Sequence, residues 1–130
     1  MSEEKKYKIM IVDDDEFLVN MYATKFGSNG VEVEACKSGE LLLEKLKSGS
    51  KTDLILLDIV MPGMNGLHTL AEVRNQKLAE DVPIVMLTNQ SDEKDISEAK
   101  KHGISGYIVK SAATPSEVVS EVMSIIKTHK

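Results

Sequence analysis

Cysteine and long apolar segments are scarce in this sequence. The single cysteine, Cys36, allows no disulfide within the chain and fits a reducing compartment. No apolar run approaches the ~18 residues of a membrane-spanning helix. The first residues, 1–6, lack the apolar core of a signal peptide. We therefore expect a cytoplasmic protein with no membrane partner.

An excess of positive charge is also missing. The net charge of −5 disfavours non-specific binding to DNA or to an anionic membrane, although it leaves room for an acidic site that holds a cation. The 130 residues are enough for one domain with a core and too few for two. The sequence contains no repeat, no linker and no low-complexity segment.

Short apolar runs of strand length alternate with helical patterns along the chain. The predicted strands are Lys8–Val12, Val31–Cys36, about 53–58, Pro83–Leu87 and Gly106–Val109. The predicted helices are about 15–28, a segment from Ser38 to Ser48, about 66–76, about 91–102, and a last helix that begins at the capping box Thr114–Glu117. Such alternation is typical of a parallel sheet with helices on both faces and right-handed crossovers.

The second predicted strand alternates polar and apolar residues, which favours a half-exposed position at the sheet edge. We therefore predict a single-domain, doubly wound α/β fold of the flavodoxin-like type, with five parallel strands in the order 2-1-3-4-5 and five helices. The predicted domain spans 7–127, after a flexible N-terminus at 1–6 and before a short tail at 128–130.

Polar residues follow four of the apolar strands at their carboxyl ends. These residues are Asp13 with Asp14, then Asp58, Thr88 and Lys110. Parallel strands point the same way, so their carboxyl ends meet at one edge of the sheet. In the predicted order the first and third strands are neighbours, which places the three carboxylates together.

Three clustered carboxylates repel one another and raise each other's pKa values, and a divalent cation relieves this. Oxygen ligands with room for water suit Mg²⁺. A metal, the ammonium of Lys110 and the hydroxyl of Thr88 can together neutralise the oxygens of a phosphoryl group. Asp58 would then act as the nucleophile and form an acyl phosphate.

At this point the sequence resembles a known family, the receiver domains of response regulators in two-component signalling. The resemblance covers about 7–127. It is carried by Ile11–Asp14, by Leu57–Gly66, by Thr88 and by Tyr107–Lys110. The order and spacing of these motifs are more specific than any one of them.

The resemblance implies a phosphorelay. Asp58 would accept a phosphoryl group from a phosphohistidine on a sensor histidine kinase or a phosphotransfer protein. Asp14 would bind Mg²⁺ directly, Asp13 mainly through water, and Val60 through its backbone carbonyl.

The resemblance also implies a switch. Thr88 and Lys110 would contact the phosphoryl group, and Tyr107 would turn inward when Thr88 moves. The surface formed by the fourth helix, the fifth strand and the fifth helix would then change and be read by a downstream protein, with no direct contact to nucleic acid. The domain would catalyse only its own phosphorylation and dephosphorylation, so it would not be an enzyme in the ordinary sense.

The chain departs from the family pattern in three places. Ser111 follows Lys110 where the family usually has proline in a cis peptide, and because non-proline cis bonds cost about 3–4 kcal/mol we predict a trans bond here. Asn89 follows Thr88 where a small residue is usual, and it could crowd the site or donate to the phosphate. Val60, two residues after the phosphoacceptor, cannot hydrogen-bond an attacking water through its side chain.

Two other functions fit parts of the pattern. A flavodoxin-like FMN carrier has the same fold, but it needs a phosphate-binding loop where this chain has the acidic run Asp13–Glu16. An aspartyl-phosphate phosphohydrolase would use an Asp-x-Asp pair, which Asp13 and Asp15 superficially provide. Such enzymes also need a cap domain or further acidic ligands, for which 130 residues leave little room.

Overall fold

Five β–α units follow one another along the chain. The computed structural model describes residues 6–129. Its strands are β1 (Lys8–Val12), β2 (Glu32–Cys36), β3 (Leu54–Leu57), β4 (Ile84–Thr88) and β5 (Gly106–Val109). Its helices are α1 (Glu16–Gly27), α2 (Gly39–Lys47), α3 (Gly66–Asn75), α4 (Glu93–Lys101) and α5 (Pro115–Thr128), with a 3₁₀ turn at Lys110–Ala112.

The strands form one parallel sheet in the order β2-β1-β3-β4-β5, which confirms the predicted topology. β1 lies beside β3 with Val12 opposite Leu57, so the residues that follow these two strands are neighbours. At the other side, Thr88 at the end of β4 lies opposite Val109 at the end of β5. The strand register therefore carries the four polar strand ends to one edge of the sheet.

Two apolar layers hold the sheet between the helices. On one face, Met10, Ile55 and Met86 pack with residues of α2 and α3. On the other face, Ile11 and Leu56 pack with residues of α1 and α5. Adjacent residues of β1 and β3 point to opposite layers, so these central strands are buried on both faces, as parallel strands under helices must be.

Helix ends are defined by local capping. The side chains of Asp15, Ser38 and Asn65 each accept a backbone hydrogen bond at the start of a helix. Thr114 and Glu117 form the predicted capping box at the start of α5. These polar side chains end the loops and place each helix directly after the sheet edge.

Some predicted boundaries differ from the structure. β4 includes Thr88 and begins after Pro83, because proline has no N–H to give to the sheet ladder. α4 begins at Glu93 rather than 91, and its N-cap Asp92 makes no side-chain capping bond. Phe17, which belongs to the apolar pattern of α1, lies outside the core and is 85% exposed.

No helix within residues 6–129 combines the length and the apolarity that crossing a bilayer requires. The flexible N-terminus predicted at 1–6 falls almost wholly outside the described residues. At the other end, α5 extends to Thr128, one residue beyond the predicted domain boundary.

Candidate functional site

A lysine joins two buried carboxylates at the carboxyl edge of the sheet. Asp13 follows β1, Asp58 follows β3, and each is more than nine-tenths buried. Lys110, which directly follows β5, donates from its Nζ to Asp13 Oδ2 at 2.8 Å and to Asp58 Oδ2 at 3.2 Å. The structure thus brings together three of the predicted site residues from three different strands.

Backbone N–H groups fix the remaining carboxylate oxygens. The N–H of Ile59 donates to Asp58 Oδ1 at 2.7 Å, and the N–H of Asp15 donates to Asp13 Oδ1 at 3.0 Å. Each carboxylate is therefore held by one backbone bond and one bond from lysine, so its orientation is set before any ligand arrives.

The pKa values at the site reflect burial and charge pairing. Burial raises the pKa of Asp13 above its usual range, although the hydrogen bond and charge of Lys110 pull in the opposite direction. For Lys110, burial lowers the pKa, but the hydrogen bonds and charges of Asp13 and Asp58 outweigh it and raise the pKa above its usual value. One lysine thus faces two buried carboxyl groups and does not fully compensate the cost of burying the Asp13 charge.

Asp14 completes an acidic cluster. Carboxylate oxygens of Asp13, Asp14 and Asp58 all lie within 4.8 Å of one another, with Asp14 exposed and the other two buried. All three donors are hard oxygens on one open rim, which fits Mg²⁺ with several retained waters. This donor set is consistent with the predicted Mg²⁺ site.

Gly66 shapes the loop between Asp58 and α3. Its N–H donates to the carbonyl oxygen of Ile59 at 2.8 Å, which closes the loop back onto the acceptor segment. A Cβ at this position would overlap the carbonyl oxygen of Asp58 and lie 2.7 Å from its carbonyl carbon. The backbone therefore approaches so closely here that only glycine fits.

Thr88 and Tyr107 meet at Gln90 rather than at the carboxylates. Thr88 is fully buried, and its hydroxyl oxygen accepts a hydrogen bond from the N–H of Gln90 at 3.3 Å. The hydroxyl of the half-buried Tyr107 donates to the carbonyl oxygen of Gln90 at 2.6 Å. The predicted switch residues are thus linked through Gln90 in the β4–α4 loop, and no sequence pattern predicted this role for Gln90.

The three departures from the family pattern have distinct surroundings. The Lys110–Ser111 bond is trans, as predicted. The N–H of Ser111 donates to Asn89 Oδ1 at 3.0 Å, so the Asn89 carboxamide bonds to the chain beside Lys110. Val60 is 59% exposed on the loop after Asp58, and the role of its carbonyl as a metal ligand stays a prediction.

Comparison with models of protein families matches residues 9–122 to the response regulator receiver domain. The match covers most of the chain, which therefore belongs to the response regulator receiver domain family. The protein is similar to the alkaline phosphatase synthesis transcriptional regulatory protein PhoP of Bacillus subtilis. The two are 33% identical over 120 residues, which are 92% of this chain and 48% of PhoP.

Similarity to the response regulator SaeR of Staphylococcus aureus is of the same order. The two are 32% identical over 122 residues, 94% of this chain and 51% of SaeR. The chain thus spans about half the length of the curated relatives it matches.

Solved structures share the fold over nearly the whole chain. A CheY-like response regulator receiver domain protein from Methanospirillum hungatei superposes with a TM-score of 0.88 at 23% identity, covering 96% of this chain and 97% of that one. The response regulator TrrA from Thermotoga maritima, solved in complex with Mg²⁺–BeF, has a TM-score of 0.78 at 28% identity. The superposition covers 92% of this chain and 98% of the TrrA chain.

Family and geometry agree on the class of protein. The pocket of Asp13, Asp14 and Asp58 is typical of phospho-accepting response regulators, and the chain is a signalling switch rather than an enzyme that turns over an external substrate. Family membership replaces the hypothesis of a flavodoxin-like FMN carrier. Family membership likewise replaces the phosphohydrolase hypothesis.

Proposed function

We propose that Asp58 is the phosphoacceptor of this receiver domain and that its phosphorylation, with Mg²⁺ bound at the acidic cluster, switches the surface of α4, β5 and α5. The observation that carries the proposal is the Asp58 carboxylate, buried at the sheet edge between Lys110 and the other two carboxylates.

The geometry supports Asp58 as nucleophile. The N–H of Ile59 orients one carboxylate oxygen, and the other lies 3.2 Å from the Lys110 ammonium. In the transfer, a carboxylate oxygen of Asp58 forms a bond to phosphorus while the P–N bond of the donor phosphohistidine breaks. The imidazole leaves with the bonding electron pair and takes up a proton from solvent, and the product is an acyl phosphate. Lys110 then stabilises the transferred negative charge.

Asp14, Asp13 and Asp58 would hold the metal, Asp14 directly and Asp13 mainly through water, with the carbonyl of Val60 as a further ligand. When bound, Mg²⁺ supplies positive charge that offsets the charge on the phosphoryl oxygens. The exposed position of Asp14 leaves this rim accessible to a phosphodonor.

Receiver domains act together with histidine kinases. For this chain the proposed partners are a sensor histidine kinase or a phosphotransfer protein upstream and a protein target downstream. The proposed location is cytoplasmic, and the single cysteine, Cys36, fits a reducing compartment. The family match at residues 9–122 supports a receiver unit spanning 7–127.

Incubation with a small phosphodonor tests the proposal. With Mg²⁺ present, intact-mass spectrometry should show the addition of a phosphoryl group, and chelation of the metal should prevent it. Absence of labelling with Mg²⁺, or equal labelling after chelation, would contradict the proposed function.

Asp14→Asn should weaken Mg²⁺ binding by at least about tenfold, because it removes a full ligand charge from the cluster. Because the chain has no tryptophan to report binding by fluorescence, isothermal titration calorimetry measures the change in Mg²⁺ affinity. Asp15→Asn is the matched control, since it removes the same charge one residue later while asparagine still caps α1. Equal affinities in the two variants would place the metal elsewhere.

Phosphorylation should also change hydrogen exchange far from Asp58. If Thr88 moves to donate to the phosphoryl group, it leaves the N–H of Gln90, and the bond from Tyr107 to the same residue is disturbed. A beryllofluoride mimic should therefore alter protection over 88–111. The segment 88–111 would then have two packing arrangements, and the phosphoryl group would shift the equilibrium between them.

Thr88→Ala should blunt this exchange response without abolishing Mg²⁺ binding. Thr69→Ala is the control, because Thr69 is equally buried but bonds within the start of α3. A response confined to 58–66 in the wild-type chain would show that the signal is read at the phosphorylated loop itself.

A further inference from the structure

Asn89 and Ser111 join the two loops that carry Thr88 and Lys110. The carboxamide oxygen of Asn89 accepts a hydrogen bond of 3.0 Å from the backbone N–H of Ser111. Ser111 directly follows Lys110 in the 3₁₀ turn that begins after β5. A side chain on one loop thus holds the backbone next to the lysine on the other.

This bond extends the link between β4 and β5 beyond the sheet. The paired register of the two strands ends with Thr88 opposite Val109. Just beyond this pair, the carboxamide oxygen of Asn89 accepts a hydrogen bond from the N–H of Ser111, which lies outside the paired strand residues. A proline at position 111 would have no N–H to donate, so this contact depends on two of the three positions at which the chain departs from the family pattern, Asn89 and Ser111.

Lys110 lies between two such links. On one side the hydroxyl of Tyr107 bonds to the carbonyl of Gln90, and on the other side Ser111 bonds to Asn89. The long lysine side chain would lose its geometry readily if its backbone shifted, since ordering four methylene groups costs conformational entropy. Its ammonium must still reach Asp13 and Asp58 across the sheet edge.

We propose that Asn89 is a positioning residue for Lys110: through the N–H of Ser111 it fixes the backbone from which the ammonium reaches the acceptor carboxylate. The inference rests on the proposed function for its effect on phosphorylation, and on the structure alone for the bond. It makes Asn89 and Ser111 an interacting pair that determines how fast phosphoryl transfer occurs.

Two substitutions distinguish the contribution of the acceptor oxygen of Asn89 from that of the rest of its side chain. Asn89→Leu keeps a similar shape and removes the acceptor, whereas Asn89→Asp keeps an acceptor oxygen. The measurements are amide exchange at Ser111 and the Lys110 ammonium resonance by NMR, the rate of labelling by a small phosphodonor, and Mg²⁺ affinity.

For Asn89→Leu we expect faster exchange at Ser111, a shifted Lys110 resonance and labelling slowed about fivefold, the ratio that a hydrogen bond of ordinary net strength carries. Mg²⁺ affinity should stay within about twofold, because the metal ligands do not contact Asn89. Asn89→Asp should label at the rate of Ser91→Asp, which adds the same charge to the same loop.

Thr114→Ala controls for stability. It removes the cap of α5 in the segment that follows Lys110, so it should lower stability and leave the labelling rate unchanged. Equal slowing by Thr114→Ala and Asn89→Leu would overturn the inference, as would unchanged Ser111 exchange, or faster exchange with unchanged labelling. If the wild-type chain takes up no phosphate, the proposed function fails, and the Lys110 resonance decides: a shift in Asn89→Leu supports the positioning role, and no shift overturns it.

Discussion

Gly66→Ala should destabilise the domain by about 3 kcal/mol, because the new methyl group has no room and its neighbours are backbone atoms. The added Cβ would overlap the carbonyl oxygen of Asp58 and would lie 2.8 Å from the Cα of Ile59. Flexible side chains could move away at little cost, but these atoms belong to the loop that directly follows β3. The substitution should therefore displace the Asp58 carboxylate as well as lower the stability of the domain.

Urea denaturation measures the effect, read as a fall in midpoint at an unchanged m-value. Gly27→Ala is the matched control. Gly27 is the last residue of α1, and nothing lies within 4 Å of a Cβ built there. This control should be neutral or slightly stabilising, by up to about 1 kcal/mol. A Gly66→Ala midpoint equal to that of Gly27→Ala would show that the loop has room that the structure does not indicate.

Lys110→Met should slow labelling by a small phosphodonor by roughly 10²–10³-fold, the usual effect of losing one preorganised charge at a transfer site. Methionine keeps much of the length of lysine but cannot donate to Asp13 or Asp58. Mg²⁺ binding should be retained, since the variant removes a cation that competes for the same carboxylates. Stopped-time intact-mass measurements at saturating Mg²⁺ separate the two effects, and Lys127→Met, which changes an exposed lysine of α5, should label normally.

The stability of the Lys110→Met variant should also depend more strongly on pH than that of the wild-type chain. Burial already raises the pKa of Asp13. Removing Lys110 removes a hydrogen bond and a charge that lower this pKa and leaves only the backbone hydrogen bond from Asp15 to lower it, so the pKa of Asp13 rises further. A folded-state pKa above the unfolded value means that the folded chain binds more protons, so stability falls as pH rises through that window. Lys110→Met should therefore lose more stability at pH 7 than at pH 4. An equal loss at both pH values would show that the Asp13 charge is compensated by another group.

Much of the fold was predictable because its signals are local. Apolar runs of strand length, caps such as Thr114 and polar residues at strand ends are each read from a few neighbouring positions. The strand order followed from the half-exposed pattern of β2, which the structure places at the sheet edge. The carboxyl ends of parallel strands lie at the same edge of the sheet. The proximity of Asp13, Asp14 and Asp58 was therefore predictable from the strand order.

The contacts between loops were not predictable in the same way. Lys110 bonds to Asp13 across 97 positions of sequence, and which carboxylate it reaches depends on the packed positions of three strands. The departures at positions 89 and 111 were visible, but the bond between their residues was not, because it depends on how the two loops leave the sheet. Phe17 matched the apolar period of α1 and is nevertheless exposed, since a period of a few residues does not define the edge of the buried stripe.

The position of the phosphoryl group tests the account most directly. After labelling with a small phosphodonor and Mg²⁺, borohydride reduction of the acyl phosphate and peptide mass mapping should mark Asp58. Asp58→Asn should take up no phosphoryl group under the same conditions. A mark at Asp13, or normal labelling of Asp58→Asn, would contradict the assignment of Asp58 as the phosphoacceptor.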